Sequence, residues 1–159
     1  MALRDSAQLV QDFLADNGYR VRVRELPSSA RTSAEAAAAV GCDVAQIAKS
    51  LVFRAQESDR AVLAIASGAN RVDEKKLSAA LGERICKADA SYVRERTGFV
   101  IGGVPPVAHR TVLPVFIDRD LFMLEFLWAA AGTPNAVFRT TADDLCDMTG
   151  GRVIDLRVD

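Results

Sequence analysis

The 159-residue chain has one histidine and three cysteines. Cys42, Cys86 and Cys146 are odd in number and widely spaced, and no Cys-x-x-Cys pair occurs. A structural zinc site of cysteine and histidine therefore lacks its ligand set, and no cofactor or metal is expected. The reducing cytoplasm is the expected compartment. Also missing is any apolar run of roughly eighteen residues, so no membrane span is expected. The opening segment Met1–Asp5 lacks the apolar core of a signal peptide. Nor is there an excess of one charge: 20 Lys and Arg face 21 Asp and Glu, for a net charge of −1. A protein that grips long nucleic acid through its phosphates needs a clear basic excess, so that class, DNA binders included, falls away. A protein that touches only the end of a strand does not.

Half of the residues are apolar and 26% are charged, a globular composition. Without a linker, an internal repeat or a low-complexity tract beyond the alanines of 36–39, residues 1–159 read as a single domain. Leu3, Ala7, Val10 and Leu14 recur at helical spacing, which predicts an N-terminal helix over 1–17, stopped by Asn17-Gly18. Tyr19, Val21 and Val23 then alternate with Arg20, Arg22 and Arg24, the period of a half-buried strand. Thr32 and Glu35 have capping-box spacing ahead of the alanine run, which Gly41 closes. Val44 to Ala48 reads as one short helical turn and Ser50 to Arg54 as a strand. Ala61 to Ala66, wholly apolar, reads as a central strand.

Asp73 caps a helix closed by Gly82, and a short helix is expected from about Ala90 to Arg96. Strand-like runs follow at Leu113 to Ile117, Phe122 to Trp128 and Ala136 to Arg139. Thr141 and Asp144 open a last helix, and Val153 to Leu156 makes a final strand. Helices and strands are interspersed without clean alternation. The expected fold is therefore α+β, a mixed and barrel-like sheet surrounded by helices.

The usual catalytic constellations are absent. There is no Gly-x-Ser-x-Gly elbow, no His-Glu-x-x-His and no Walker-type loop. His109 is expected as an exposed loop residue rather than a triad member. Two local features remain. Lys49, between the short turn and the strand, borders the apolar run Leu51-Val52-Phe53. Its ammonium can bind a phosphate or carboxylate over a pocket, or it can simply snorkel at a strand edge. Gly102-Gly103-Val104-Pro105-Pro106 allows a ligand close to the main chain and then stiffens, or it is a plain tight turn. Poor in N–H donors, it suits an ammonium or hydroxyl group better than a phosphate. Arg20, Arg22 and Arg24 form a solvated face or a strip that tracks RNA phosphates. Asn70-Arg71, after the central strand, is a weaker candidate.

Together these features resemble one family. Gln46-Ile47-Ala48-Lys49-Ser50-Leu51-Val52-Phe53, the Ala61 to Ala66 strand, Val72-Asp73-Glu74-Lys75-Lys76-Leu77 and Thr97-Gly98 leading to Gly102–Pro106 come in order. The strand ending at Asp118, Ala131-Gly132 and Asp143-Asp144-Leu145 follow. No single motif is diagnostic, but the ordered set, covering about Tyr19 to Leu156, resembles the YbaK/prolyl-tRNA editing domain family. The resemblance implies hydrolysis of the aminoacyl ester at the 3′ end of a mischarged tRNA, with an aminoacyl-tRNA synthetase as a second candidate partner. It implies that Lys49 is the catalytic residue. Ser50, Gly102, Gly103, Val104, Pro105, Pro106, Gly132 and Asp144 are the implied substrate-binding positions. Ser50 stands where some members carry asparagine, and no histidine follows His109, so the amino acid removed stays open. A binding module for an aminoacyl-adenosine-like ligand or a synthetase, without hydrolysis, is the alternative.

Overall fold

The computed structural model describes residues 3–159, so the first two positions of the expected 1–17 helix lie outside the described residues. Helix α1 runs Asp5–Asp16 and buries Ala7, Val10 and Leu14, the stripe its spacing predicted. The order continues β1 (Arg24–Glu25), α2 (Ser33–Val40), β2 (Ile47–Ala55), β3 (Ala61–Ser67), α3 (Glu74–Leu81), β4 (Ile85–Lys87) and α4 (Ala90–Thr97). It ends with β5 (Val115–Asp118), β6 (Leu127–Ala130), β7 (Ala136–Thr140), α5 (Ala142–Thr149) and β8 (Arg152–Ile154). This is α+β with a mixed sheet. Among the described residues, no helix is long and apolar enough to cross a membrane.

The helix starts follow their caps. Thr32 accepts from the Glu35 N–H in a complete capping box, Asp73 accepts from Lys75 and Lys76, and Thr141 accepts from Asp144. The strand order is β1-β7-β6-β2-β3-β5-β8, and the path ends at β1 and β8. Strand β3 lies inside the path, between β2 and β5, with every residue buried. One sheet face packs Ala48, Leu63, Ile65, Ile117 and Phe138 against α1, α4 and α5 through Val10, Leu14, Val93 and Leu145. The other packs Phe53, Ala64, Ala66 and Phe116 against Leu77 and Leu156. A third cluster joins Ile47, Trp128 and Val137 to Ala36 and Ala37 of α2.

Strand β2 is the branch point. On one edge it pairs antiparallel with β3 over its whole length. On the other it pairs parallel with β6 only at Ile47 and Ala48, and antiparallel with β4 only at Phe53 to Ala55. Residues 49–52 therefore have no strand beside them on that side.

Several expectations needed correction. The strand expected over Tyr19 to Arg24 pairs only at Arg24–Glu25, although Val23 is buried as its period requires. Gln11 of α1 takes the place of a neighbouring strand: its side chain donates to the Val21 carbonyl and accepts from the Val23 N–H. The helical turn expected over Val44 to Ala48 is a 3-10 turn at Val44–Gln46, so β2 begins earlier and Lys49 lies inside it. Phe122 to Trp128 is not one strand. Asp118 accepts from the Asp120 N–H and folds Arg119–Met123 into a 3-10 turn, and β6 starts only at Leu127. The last strand sits earlier than expected, on Arg152–Ile154, and β4 carries no signal beyond its three residues.

Candidate active site

Lys49 is half-buried on β2, opposite Ala66 of β3. Its ammonium donates to the Asn70 carbonyl at 2.6 Å. The Asn70 side chain in turn donates to Asp118 and Asp120, at 2.8 and 2.9 Å. Asp118 is buried, accepts from the Ser67 N–H, and stands behind the lysine as a fixed negative charge. Burial lowers the Lys49 pKa below the ordinary lysine value, and the Asp118 charge opposes that shift. Asn70, a weak candidate by sequence, thus anchors the strongest one.

A cavity of about 460 Å³ opens on the unpaired stretch of β2. Lys49, Ser50, Gly102 and Val104 line it together, so β2 and the glycine-proline loop share one site. The remaining wall is mostly apolar, with Ala36 and Val40 of α2, Val93 of α4 and Trp128 of β6. In an antiparallel ladder the backbone groups of successive residues point to opposite edges. The Ile47 carbonyl faces β3, where it accepts from Gly68. Two residues on, Lys49 therefore faces β3 as well, and the peptide groups of Ser50 face the open edge. The Ser50 hydroxyl is buried and has no hydrogen-bond partner. Buried polar groups are paired in the great majority of cases, and this orphan, sealed as it stands, could gain a partner by turning about χ1 toward the cavity.

The rest of the glycine-proline loop stands behind this wall. Gly103, Pro105 and Pro106 are buried and absent from the cavity lining. The carbonyls expected to be free are committed. That of Gly103 accepts from the Gly132 N–H at 2.9 Å, and that of Pro105 accepts from His109 at 2.7 Å. A Cβ on Gly103 would lie 2.7 Å from the Thr133 carbonyl carbon, so two backbones pack face to face there. Gly132 is likewise buried, at φ +97, with Ser6 backbone against its Cα. Asp144 is set apart from all of these. The Thr141 cap fixes it in the first turn of α5, where it is exposed beside the Tyr19–Asp147 hydrogen bond and does not line the cavity.

His109 also differs from expectation: it is half-buried. A carbonyl only accepts, so Nε2 carries the proton on the Pro105 bond. Phe99 meets the ring edge-on with centroids 6.4 Å apart. Desolvation lowers the His109 pKa below the ordinary 6.5, and the Pro105 bond opposes it in part. The folded chain therefore resists a proton that the unfolded chain accepts. Stability from this source is complete above about pH 6.5 and is lost as the pH falls below it. Urea midpoints between pH 7.5 and 5 should drop for the wild type and drop less for His109→Gln; equal slopes would disprove the assignment.

The basic row is divided. Arg24 lies over the Trp128 ring at 5.3 Å, while Arg20 and Arg22 edge an open groove beside α1 with Gln11 and Tyr19.

The site is thus a part-apolar cavity on a mixed sheet, with a half-buried lysine and an open strand edge in its wall. The family model for the aminoacyl-tRNA editing domain matches residues 27–148, and the chain belongs to that family. One solved structure, described as a "putative trans-editing enzyme for prolyl tRNA synthetase", is 47% identical with a TM-score of 0.94, covering 99% of this chain and 100% of that one. Another, a hypothetical protein APE2540, is 27% identical with a TM-score of 0.88, over 94% and 99% of the two chains. The uncharacterized protein YwhH of Bacillus subtilis (strain 168) is 31% identical over 131 residues, 82% of this chain and 83% of its own length.

Proposed function

We propose that this chain is a trans-editing hydrolase that deacylates mischarged aminoacyl-tRNA of the prolyl-tRNA type, with the aminoacyl ester seated in the Lys49 cavity. The observation that carries this reading is the gap in the outer edge of β2, where Ser50 offers an unpaired hydroxyl and open peptide groups beside a desolvated lysine. An aminoacyl ester is already reactive, so placement against a water molecule supplies much of the catalysis. Water attacks the ester carbonyl carbon, and the bond to the ribose oxygen breaks. The proton lost by the water passes to that oxygen, directly or through the neighbouring ribose hydroxyl. Lys49 stabilises the charge that develops on the carbonyl oxygen. The Ser50 carbonyl accepts from the α-ammonium, joined by the hydroxyl once it turns about χ1, and Gly102 and Val104 close the opposite side. Gly103, Pro105, Pro106 and Gly132 hold that side in place. No cofactor enters the reaction. The proposed compartment is the cytoplasm, and an aminoacyl-tRNA synthetase is the proposed delivering partner.

A panel of tRNAs carrying small non-cognate amino acids tests the reading. At least one ester should be cleaved well above its spontaneous rate, and a panel with none cleaved would overturn it. Binding of a non-hydrolysable aminoacyl-adenosine without turnover would favour a binding module instead. Ser50→Ala should lower kcat/KM by about tenfold, the worth of one hydrogen bond to a charged group. Its thermal stability should be unchanged or slightly raised, because the hydroxyl removed is buried and unpaired. Undiminished activity would remove Ser50 from the site.

A further inference from the structure

The cavity wall carries three cations, Arg31, Lys49 and Lys87, and no Asp or Glu. The whole chain holds 21 acidic residues against 20 basic ones, so the lining departs from the overall balance. Lys49 is held by Asn70 and sits half-buried. Arg31 and Lys87 differ: both are exposed, and among the described residues neither side chain makes an ion pair. They come from separate elements, Arg31 from the loop before α2 and Lys87 from the end of β4, opposite Phe53.

Arg31 is fixed by the glycine-proline loop itself. A Cβ on Gly102 would fall 2.5 Å from Arg31 Cγ and 3.3 Å from its Nε. The arginine stem therefore passes directly over Gly102, at φ +88, where no side chain stands in its way. Glycine at 102 serves two ends there, a left-handed turn and a channel for the stem.

We propose that Arg31 and Lys87 grip the phosphodiesters of the single-stranded acceptor end, on the 5′ side of the aminoacylated ribose. This rests on the editing reading above, which puts the aminoacyl-ribose with its α-ammonium inside the cavity and leaves its phosphates at the mouth. Two unpaired cations at that mouth match two anions next to it. The arrangement also reconciles a net charge of −1 with a nucleic-acid substrate, because positive charge is needed only at the rim. Arginine can bind a phosphate with two parallel N–H donors, and lysine acts as a point charge.

The test compares two substrates that differ only in phosphates: a 3′-aminoacyl-adenosine and the same amino acid on a terminal trinucleotide. For Arg31→Gln and Lys87→Gln, the ratio of kcat/KM for the trinucleotide to that for the adenosine should fall about tenfold each. The fall should appear in KM rather than kcat. The slope of log kcat/KM against log salt should flatten by about 0.7 per cation removed, the single-strand value for one phosphate contact. Unchanged ratios and slopes would overturn the proposal. Binding of an amide-linked, non-hydrolysable aminoacyl trinucleotide, with inorganic phosphate as competitor, separates this outcome from failure of the editing reading. Binding weakened in both variants without any wild-type hydrolysis would sink the hydrolase and leave the grip. Equal binding in wild type and variants would sink the grip whatever the hydrolysis shows.

Discussion

Lys49→Ala is expected to slow deacylation by about two to three orders of magnitude, the usual cost of removing one preorganised group that stabilises developing charge. The large effect follows from the site having little else. No histidine lines the cavity, and His109 spends its donor on Pro105. The fold should survive, since the residue is half-exposed and its one hydrogen bond goes to a loop carbonyl. Single-turnover hydrolysis of a mischarged tRNA gives the rate, and circular dichroism with thermal unfolding confirms the fold. Equal rates for the two proteins would remove Lys49 from the chemistry. A pH profile adds a second check. Burial lowers the lysine pKa, so the enzyme-catalysed rate should decline on the alkaline side, beginning below the ordinary lysine value of 10.5. That decline should vanish in Lys49→Ala once spontaneous ester hydrolysis is subtracted.

Gly132→Ala should be strongly damaging. At φ +97 any side chain is strained, and its Cβ would stand 2.6 Å from the Ser6 carbonyl oxygen. The two nearest atoms both belong to the Ser6 backbone, which cannot swing aside as a side chain can. Backbone strain of about 1–3 kcal/mol and overpacking of similar size add to about 2–6 kcal/mol. For a domain of this length the melting temperature should fall by roughly 5–20 °C. Activity at 25 °C should fall with it, since Gly132 donates to Gly103 behind the cavity wall. A variant melting within a degree of wild type would show that α1 moves away freely.

How much was legible in advance follows from what is local. Helix starts are written in a few adjacent residues, and Thr32, Asp73 and Thr141 cap as their spacing predicts. The wholly apolar Ala61 to Ala66 run read as a central strand, and it is one. Strand partners are not local. The alternation from Tyr19 to Val23 correctly marked one side as buried, yet it could not reveal that the partner is Gln11 of a helix. Asp118 reads as the end of a strand, while its capping of the next turn depends on tertiary placement. The same division holds for the site. Lys49 and the glycine-proline loop stood out by residue type, and the structure brings them to one cavity. Of the loop, only Gly102 and Val104 reach the lining, because Gly103 and Gly132 are consumed by backbone packing. Asp144 looked like part of the set and is held elsewhere by its helix cap. Arg31 carries no motif. Its place becomes visible only once Gly102 is seen beneath its stem.

The interrupted edge of β2 has a consequence for solubility. Unpaired strand edges are where proteins stick to one another, and they are normally kept short, charged or covered. Here the unpaired residues are 49–52, in a strand that is apolar apart from Lys49, Ser50 and Arg54. What covers them is the cavity itself, roofed by α2 and the loop at Gly102. Substrate pocket and edge guard are thus one construction. Damage to the roof would expose an adhesive strand as well as an empty site, so variants that enlarge the pocket by removing α2 or loop contacts should aggregate before they change substrate.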